Sequence, residues 1–224
     1  MSFVTSNTFA KSAIIGDLAA MKLLLLDGCP RNEYTYSTCG AAAEGGHLEV
    51  LKWLRDNGFP WDEYTCSAAA VGGHLEVLKW LRENGCPWSY MTCASAAYSG
   101  HFELLQWARS NGCPWDEETS YLACSNGHLE ILKWVIDNGC PWDHYICQAA
   151  ALGGNLEVLK WATDNGRLLD ADIFTHARIG GYIHIICWLQ DNDCPEDDEQ
   201  DDDNEDEDED ADEDADEDED DYDY

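Results

Sequence analysis

The sequence repeats itself every 27 residues, and the register holds from residue 37 to residue 195. Counted from the histidine of the phrase Gly-His-Leu-Glu, one column holds His47, His74, His101, His128, Asn155 and Tyr182. A fixed period of this size marks a stacked array, in which a unit cannot bury its apolar face alone and borrows that of its neighbours. Such an array is one elongated domain and points to binding, without naming what is bound.

Each unit reads as a pair of helices. In residues 64–87, Thr65 precedes a short Ala-rich run suited to a close-packed first helix, and Thr8, Thr38, Thr92 and Thr119 recur at that column. Threonine there is expected as an N-cap whose hydroxyl satisfies an orphan backbone N–H. A glycine column, Gly16 through Gly181, closes the first helix with a left-handed turn. The second helix follows at once, with Glu49, Glu76, Glu103, Glu130 and Glu157 in its first turn, favourable to the helix dipole. Its apolar positions in the third unit, Leu75, Val77, Leu78, Trp80 and Leu81, cover an arc of roughly 220°, wide enough to touch units on both sides. Glu76 and Lys79 occupy the narrow polar remainder, and Asn84-Gly85 followed by Cys86-Pro87 ends the helix.

The phrase GHLEVLKWLRENG at 73–85 recurs as GHLEVLKWLRDNG at 46–58, GHFELLQWARSNG at 100–112, GHLEILKWVIDNG at 127–139 and GNLEVLKWATDNG at 154–166. Weaker forms stand at 15–28 and 181–193. These segments resemble ankyrin repeats over seven units, about residues 7–195. The resemblance implies an all-α, ankyrin-like solenoid of stacked helix pairs and a non-enzymatic protein that binds another protein as scaffold or adaptor. An ankyrin repeat spans about 33 residues, so these units are shorter by about six. The missing residues fall between Trp88 and Thr92 and their equivalents, where the family's β-hairpin finger projects. The fingers are therefore expected as tight turns, with one longer junction from Pro30 to Thr38. The Cys-Pro-Trp-Asp turn resembles the short ankyrin-like arrays of giant DNA viruses of amoebae. An adaptor for a ubiquitin ligase would carry an F-box segment, and none is visible.

Beyond Pro195 the composition changes abruptly. Residues 196–224 hold 23 of the 46 acids and no Lys or Arg, leaving 23 acids against 12 bases in residues 1–195. Like charges packed this closely, with no aliphatic side chain larger than Ala, cannot offset chain entropy by burial, so the tail is expected to be disordered. A basic partner is favoured and nucleic acid repelled. A second reading makes the protein an acidic chaperone or nucleic-acid mimic, in which the tail sequesters a basic protein and the array only anchors it. Solubility alone is the third account of the tail.

The apolar run Leu18–Leu26, broken by Lys22, is too short to span a bilayer and fits the register as a second helix. No secretory leader is visible, and an odd count of 11 Cys argues for a reducing intracellular compartment, cytoplasm or nucleus. Equivalent His residues lie about a helix diameter apart, too far to share one metal, and capping or packing of the Gly-His corner is preferred. The Cys columns, Cys39, Cys66, Cys93 and Cys147 on the first helix and Cys86, Cys113, Cys140 and Cys194 in the turn, read as small buried residues, with no CxxC present. No GxSxG, HExxH, Walker loop or GxGxxG occurs, and neither an enzyme nor a cofactor is expected.

Two Trp columns remain. Trp53, Trp80, Trp107, Trp134, Trp161 and Trp188 lie mid-helix inside the apolar arc and are assigned to inter-unit core. Trp61, Trp88, Trp115 and Trp142 follow the turn proline, where two readings stay open: structural stacking, or a ladder of half-exposed indoles of the kind that makes binding hot spots. The neighbouring residues vary from unit to unit, as recognition surfaces do. The expected partner-binding set is Trp61, Trp88, Trp115, Trp142, Tyr64, Tyr90, Tyr121 and Tyr145, on a monomer. At the last unit, Ile183, Ile186 and Trp188 are left without a following unit to cover them.

Overall fold

The computed structural model describes residues 2–27, 35–143 and 145–196. The acidic tail from 197 onward and most of the longer junction after Pro30 lie outside the described residues. Among those described there are only helices, in seven pairs. The first helices of the pairs are α1 (Ser2–Ile14), α3 (Thr35–Glu44), α5 (Glu63–Val71), α7 (Tyr90–Tyr98), α9 (Glu117–Ser125), α11 (Tyr145–Leu152) and α13 (Ala171–Ile179). The second helices are α2 (Leu18–Leu26), α4 (Leu48–Asp56), α6 (Leu75–Glu83), α8 (Phe102–Ser110), α10 (Leu129–Asp137), α12 (Leu156–Asp164) and α14 (Ile183–Asp191). Between the described pairs from α4 onward, tight turns take the place of β-hairpin fingers.

Side-chain size sets the shape of the stack. Fully buried Ala69, Ala70, Ala96, Ala97 and Ala150 let first helices approach their neighbours closely, α3 on α5, α5 on α7, and so on to α13. The second helices carry Leu and Trp and are held farther apart, so the slab curves with the first helices on its inner side. Within α6, Val77, Leu78 and Leu81 are buried, while Glu76 pairs with Lys79 at 2.7 Å on the polar strip.

The Gly-His corner welds several pairs to the one before. His47, His101 and His128 stand at helix N-caps without capping their own helix. Their Nε2 atoms instead donate at 3.0 Å to the carbonyls of Ile14, Val71 and Tyr98, in the last turn of the preceding first helix. Carbonyls there lack intrahelical donors, and the imidazole supplies one. Asn155 substitutes chemically, giving its amide to the Ser125 carbonyl at 2.8 Å. The corner glycine is required twice over: Gly100 has φ +78°, and a Cβ on it would lie 2.7 Å from the His128 ring.

The threonine expectation needs correction. The N-caps are Asp62, Ser89, Asp116 and Asp170, and Thr65, Thr92 and Thr119 lie three residues further on, buried inside the helix. The turn delivers the chain to Asp62 in extended geometry, φ −142° and ψ −170°, so the helix has already begun at Glu63. The Thr65 hydroxyl then accepts from the Asp62 N–H at 3.4 Å, the return arm of a capping box.

Candidate interaction surface

The turn tryptophans stand between pairs, each held on two sides. A guanidinium lies over every one: Arg55 over Trp61 at 4.1 Å, Arg82 over Trp88 at 4.1 Å, Arg109 over Trp115 at 4.3 Å and Arg167 over Trp142 at 3.7 Å. The same arginines donate to turn carbonyls, Arg109 to Cys113 at 3.1 Å and Arg82 to Cys86. From the other side, the mid-helix indole of the next pair meets the turn ring: Trp61 with Trp80 at 5.7 Å, Trp88 with Trp107 at 6.1 Å, Trp115 with Trp134 at 5.8 Å and Trp142 with Trp161 at 5.7 Å. Three of these pairs are edge-to-face, the arrangement that the ring quadrupole favours.

Both Trp columns are half-buried and packed against the edge of the core. The mid-helix column is thus shallower than the apolar arc implied, because Val, Leu and Ile at neighbouring positions fill the centre. The turn column keeps part of each ring in solvent.

The tyrosines of the expected set divide. Tyr64, Tyr90 and Tyr145 stand in the first turns of α5, α7 and α11 and are 58%, 43% and 50% exposed. Tyr121 is half-buried inside α9. Carboxylates stand at the starts of α9 and α11: Asp116 accepts from the Glu118 N–H at 3.2 Å and Asp143 from the Tyr145 N–H at 2.9 Å. Partial burial, and then the adjoining Glu117, hold the Asp116 carboxyl above the usual carboxylate range. Along the first-helix starts, exposed aromatic faces stand on α5, α7 and α11 and carboxylates at α5, α9 and α11.

Sequence reasoning missed one gathering of side chains. Tyr121 of α9, Tyr145 and Gln148 of α11, and Asp172 and His176 of α13 line a common hollow of about 480 Å³, while Tyr64 and Tyr90 stand apart from it. Asp172 and His176 carry no motif. The available signal was a change in column composition: the position holding Gly40, Ser67 and Ala94 becomes Tyr121 and Gln148, and that holding Ala41, Ala68 and Ser95 ends in His176.

The thiols are structural. Cys86, Cys113, Cys140 and Cys194 each donate to the carbonyl of an N-cap residue 24 positions earlier, at 3.2 to 3.4 Å. Cys66 approaches Cys86 and Cys93 approaches Cys113, contacts that no short sequence spacing announces. Burial pushes the Cys39 thiol up to about 12 and Cys147 up to about 11, far from the reactive range. Among the described residues no cluster of three or more His, Cys, Asp or Glu is arranged to hold a metal ion. No described helix is long and apolar enough to cross a membrane. At the last pair Ile183 is 72% exposed, while Ile186 and Trp188 are half-buried.

Comparison with known proteins agrees with this geometry. A family model described as "Ankyrin repeats (many copies)" matches residues 66–109 and 93–136. The solved structure of the human ASB11 ankyrin repeat domain superposes with a TM-score of 0.54 at 22% identity, covering 72% of this chain and 84% of that one. No curated protein sequence matches the chain. Residues 66–136 thus match ankyrin repeats, and the stack as a whole has the all-helical fold of an ankyrin-repeat solenoid.

Proposed function

We propose that this chain is a non-enzymatic interaction module that grips a basic segment of another protein along its inner edge. One observation carries the reading: exposed Tyr64 beside Asp62 and Glu63, exposed Tyr90, the acids Asp116, Glu117 and Glu118, and exposed Tyr145 beside Asp143 occupy the starts of α5, α7, α9 and α11 in a repeating frame. Tyrosine supplies large contact area with little rotamer entropy to lose, and the acids steer a cationic partner. The turn tryptophans Trp61, Trp88, Trp115 and Trp142 brace this edge, and their exposed rims extend the contact. Tyr121 and the hollow complete it. The buried, unpaired thiols suit a reducing compartment, cytoplasm or nucleus. If the chain is of the viral short-repeat type, that compartment is the host's and so is the partner.

Affinity capture from cell lysate tests this, with three chains side by side: full length, lacking residues 197–224, and Tyr64→Ala/Tyr90→Ala/Tyr145→Ala. The expected partner survives tail removal and is lost from the triple variant. A partner lost only with the tail, and released steeply by salt, would establish the alternative of a polyanionic chaperone or nucleic-acid mimic; the abrupt charge change at residue 196 is the observation that favours it.

A further inference from the structure

The regular inner face of the stack changes character over its last three pairs. There the hollow among α9, α11 and α13 is lined by Tyr121, Tyr145, Gln148, Ala149, Asp172 and His176, with no Lys or Arg among them. Gln148 is a buried polar side chain, only 6% exposed, and its Nε2 donates to Asp172 Oδ2 at 3.3 Å. With the amide donor turned toward Asp172, the lone pairs of Gln148 Oε1 remain for a ligand. The His176 Nδ1 donates to its own helix, at the Asp172 carbonyl 2.6 Å away. The neutral ring therefore presents Nε2 as an acceptor. Asp172 is exposed and adds a carboxylate. Two phenol rings contribute negative π-faces. Ala149 is buried and lacks the bulk to fill the space.

Polar groups of α11 and α13 are thus committed so that Gln148 Oε1, His176 Nε2, the Asp172 carboxylate and the aromatic faces remain for a visitor. We infer that this hollow is a specificity pocket for one cationic side chain, arginine or lysine, projecting from the bound protein. The inference rests on the basic-partner reading above and locates where a single residue of that partner is read. Guanidinium and ammonium share the chemistry the pocket selects; a planar guanidinium stacks better on phenol rings, an ammonium offers a more compact charge.

The test titrates the full-length chain with three capped tripeptides, Gly-Arg-Gly, Gly-Lys-Gly and Gly-citrulline-Gly, followed by amide NMR. The side-chain amide of Gln148 and the backbone amides of Ala149, Asp172 and His176 should shift with a cationic peptide and not with citrulline, which keeps the shape without the charge. The Arg and Lys arms show which cation is preferred. Asp172→Asn, an isosteric change at an exposed position, should weaken binding by about tenfold. Tyr145→Leu should weaken it while leaving the thermal melt in place. Shifts that avoid Gln148 and Asp172, shifts equal for citrulline, or titrations unchanged in Asp172→Asn would overturn the pocket. If capture depends on the tyrosines but the peptides leave Gln148 unmoved, the pocket alone fails. Should the peptides move Gln148 while no captured protein depends on the inner edge, the pocket stands and the wider reading falls.

Discussion

Arg167 lies 3.7 Å above the ring of Trp142, from a column that holds Phe59 and then Cys86, Cys113, Cys140 and Cys194. The reason is one unit away. The arginine that covers each earlier turn tryptophan, at 55, 82 and 109, is replaced by Ile136, and Arg167 supplies the missing guanidinium from the next turn. Restoring the repeat with Arg167→Cys, ordinarily a stabilising kind of change, should here destabilise by ~1–2 kcal/mol through loss of the cation–π contact and its packing. Adding Ile136→Arg to that variant should recover much of the loss. Urea denaturation of the single and double variants decides it.

The corner between pairs allows a cleaner measurement. Gly100→Ala should cost about 1–2 kcal/mol from its left-handed backbone alone, plus displacement of the His128 ring that a Cβ would meet at 2.7 Å. His128→Ala should cost ~1 kcal/mol by leaving the Tyr98 carbonyl without its donor. Together the two should cost less than their sum, because the second change makes room for the first. A double-mutant cycle from thermal or urea melts reads the difference.

Asp116 offers a pH test. Its folded pKa lies above the unfolded value, so the folded state takes up the proton first and stability falls as pH rises through that interval. Asp116→Asn keeps a side chain that can cap α9 and removes the partly desolvated charge beside Glu117. The variant should melt higher at pH 7 and match the parent once the carboxyl is protonated, below about pH 3. A melting series between those limits checks both ends.

Thiol labelling should discriminate sharply among the ten described cysteines. Nine are buried, and Cys187 on α14 is exposed. Under native conditions a maleimide should therefore modify Cys187 first, with Cys39, Cys66, Cys86, Cys93, Cys113, Cys124, Cys140, Cys147 and Cys194 protected until the array unfolds. Peptide mass mapping over a time course gives the order directly.

Much of this architecture was legible because the period carries the hydrophobic pattern with it. The helix over 75–83, its Glu76–Lys79 pair and the glycine turns all follow from contacts within a single unit. Contacts across units were harder. That His128 reaches Tyr98, that Trp88 meets Trp107, and that Cys93 approaches Cys113 depend on how far each pair is shifted and rotated against the last, which a repeat length does not encode. The threonine column misled because Asp, Ser and Thr all serve as N-caps and the turn geometry chose the earlier residue. The hollow was hidden for a related reason: its walls come from three units and share no motif, only a departure from the pattern.

The histidine welds end unevenly. At the final junction the column holds Tyr182, whose ring rests on Gly154 and Gly180, and the cross-pair bond is a different one, from His184 to the Gly154 carbonyl at 3.4 Å. That seam has the longest bond of the series, and nothing beyond α14 is stacked on it among the described residues. The solenoid therefore has a mechanical polarity. An unfolding machine pulling from the C-terminal side would meet, at its first step, a seam that lacks the 3.0 Å imidazole bond found at His47, His101 and His128.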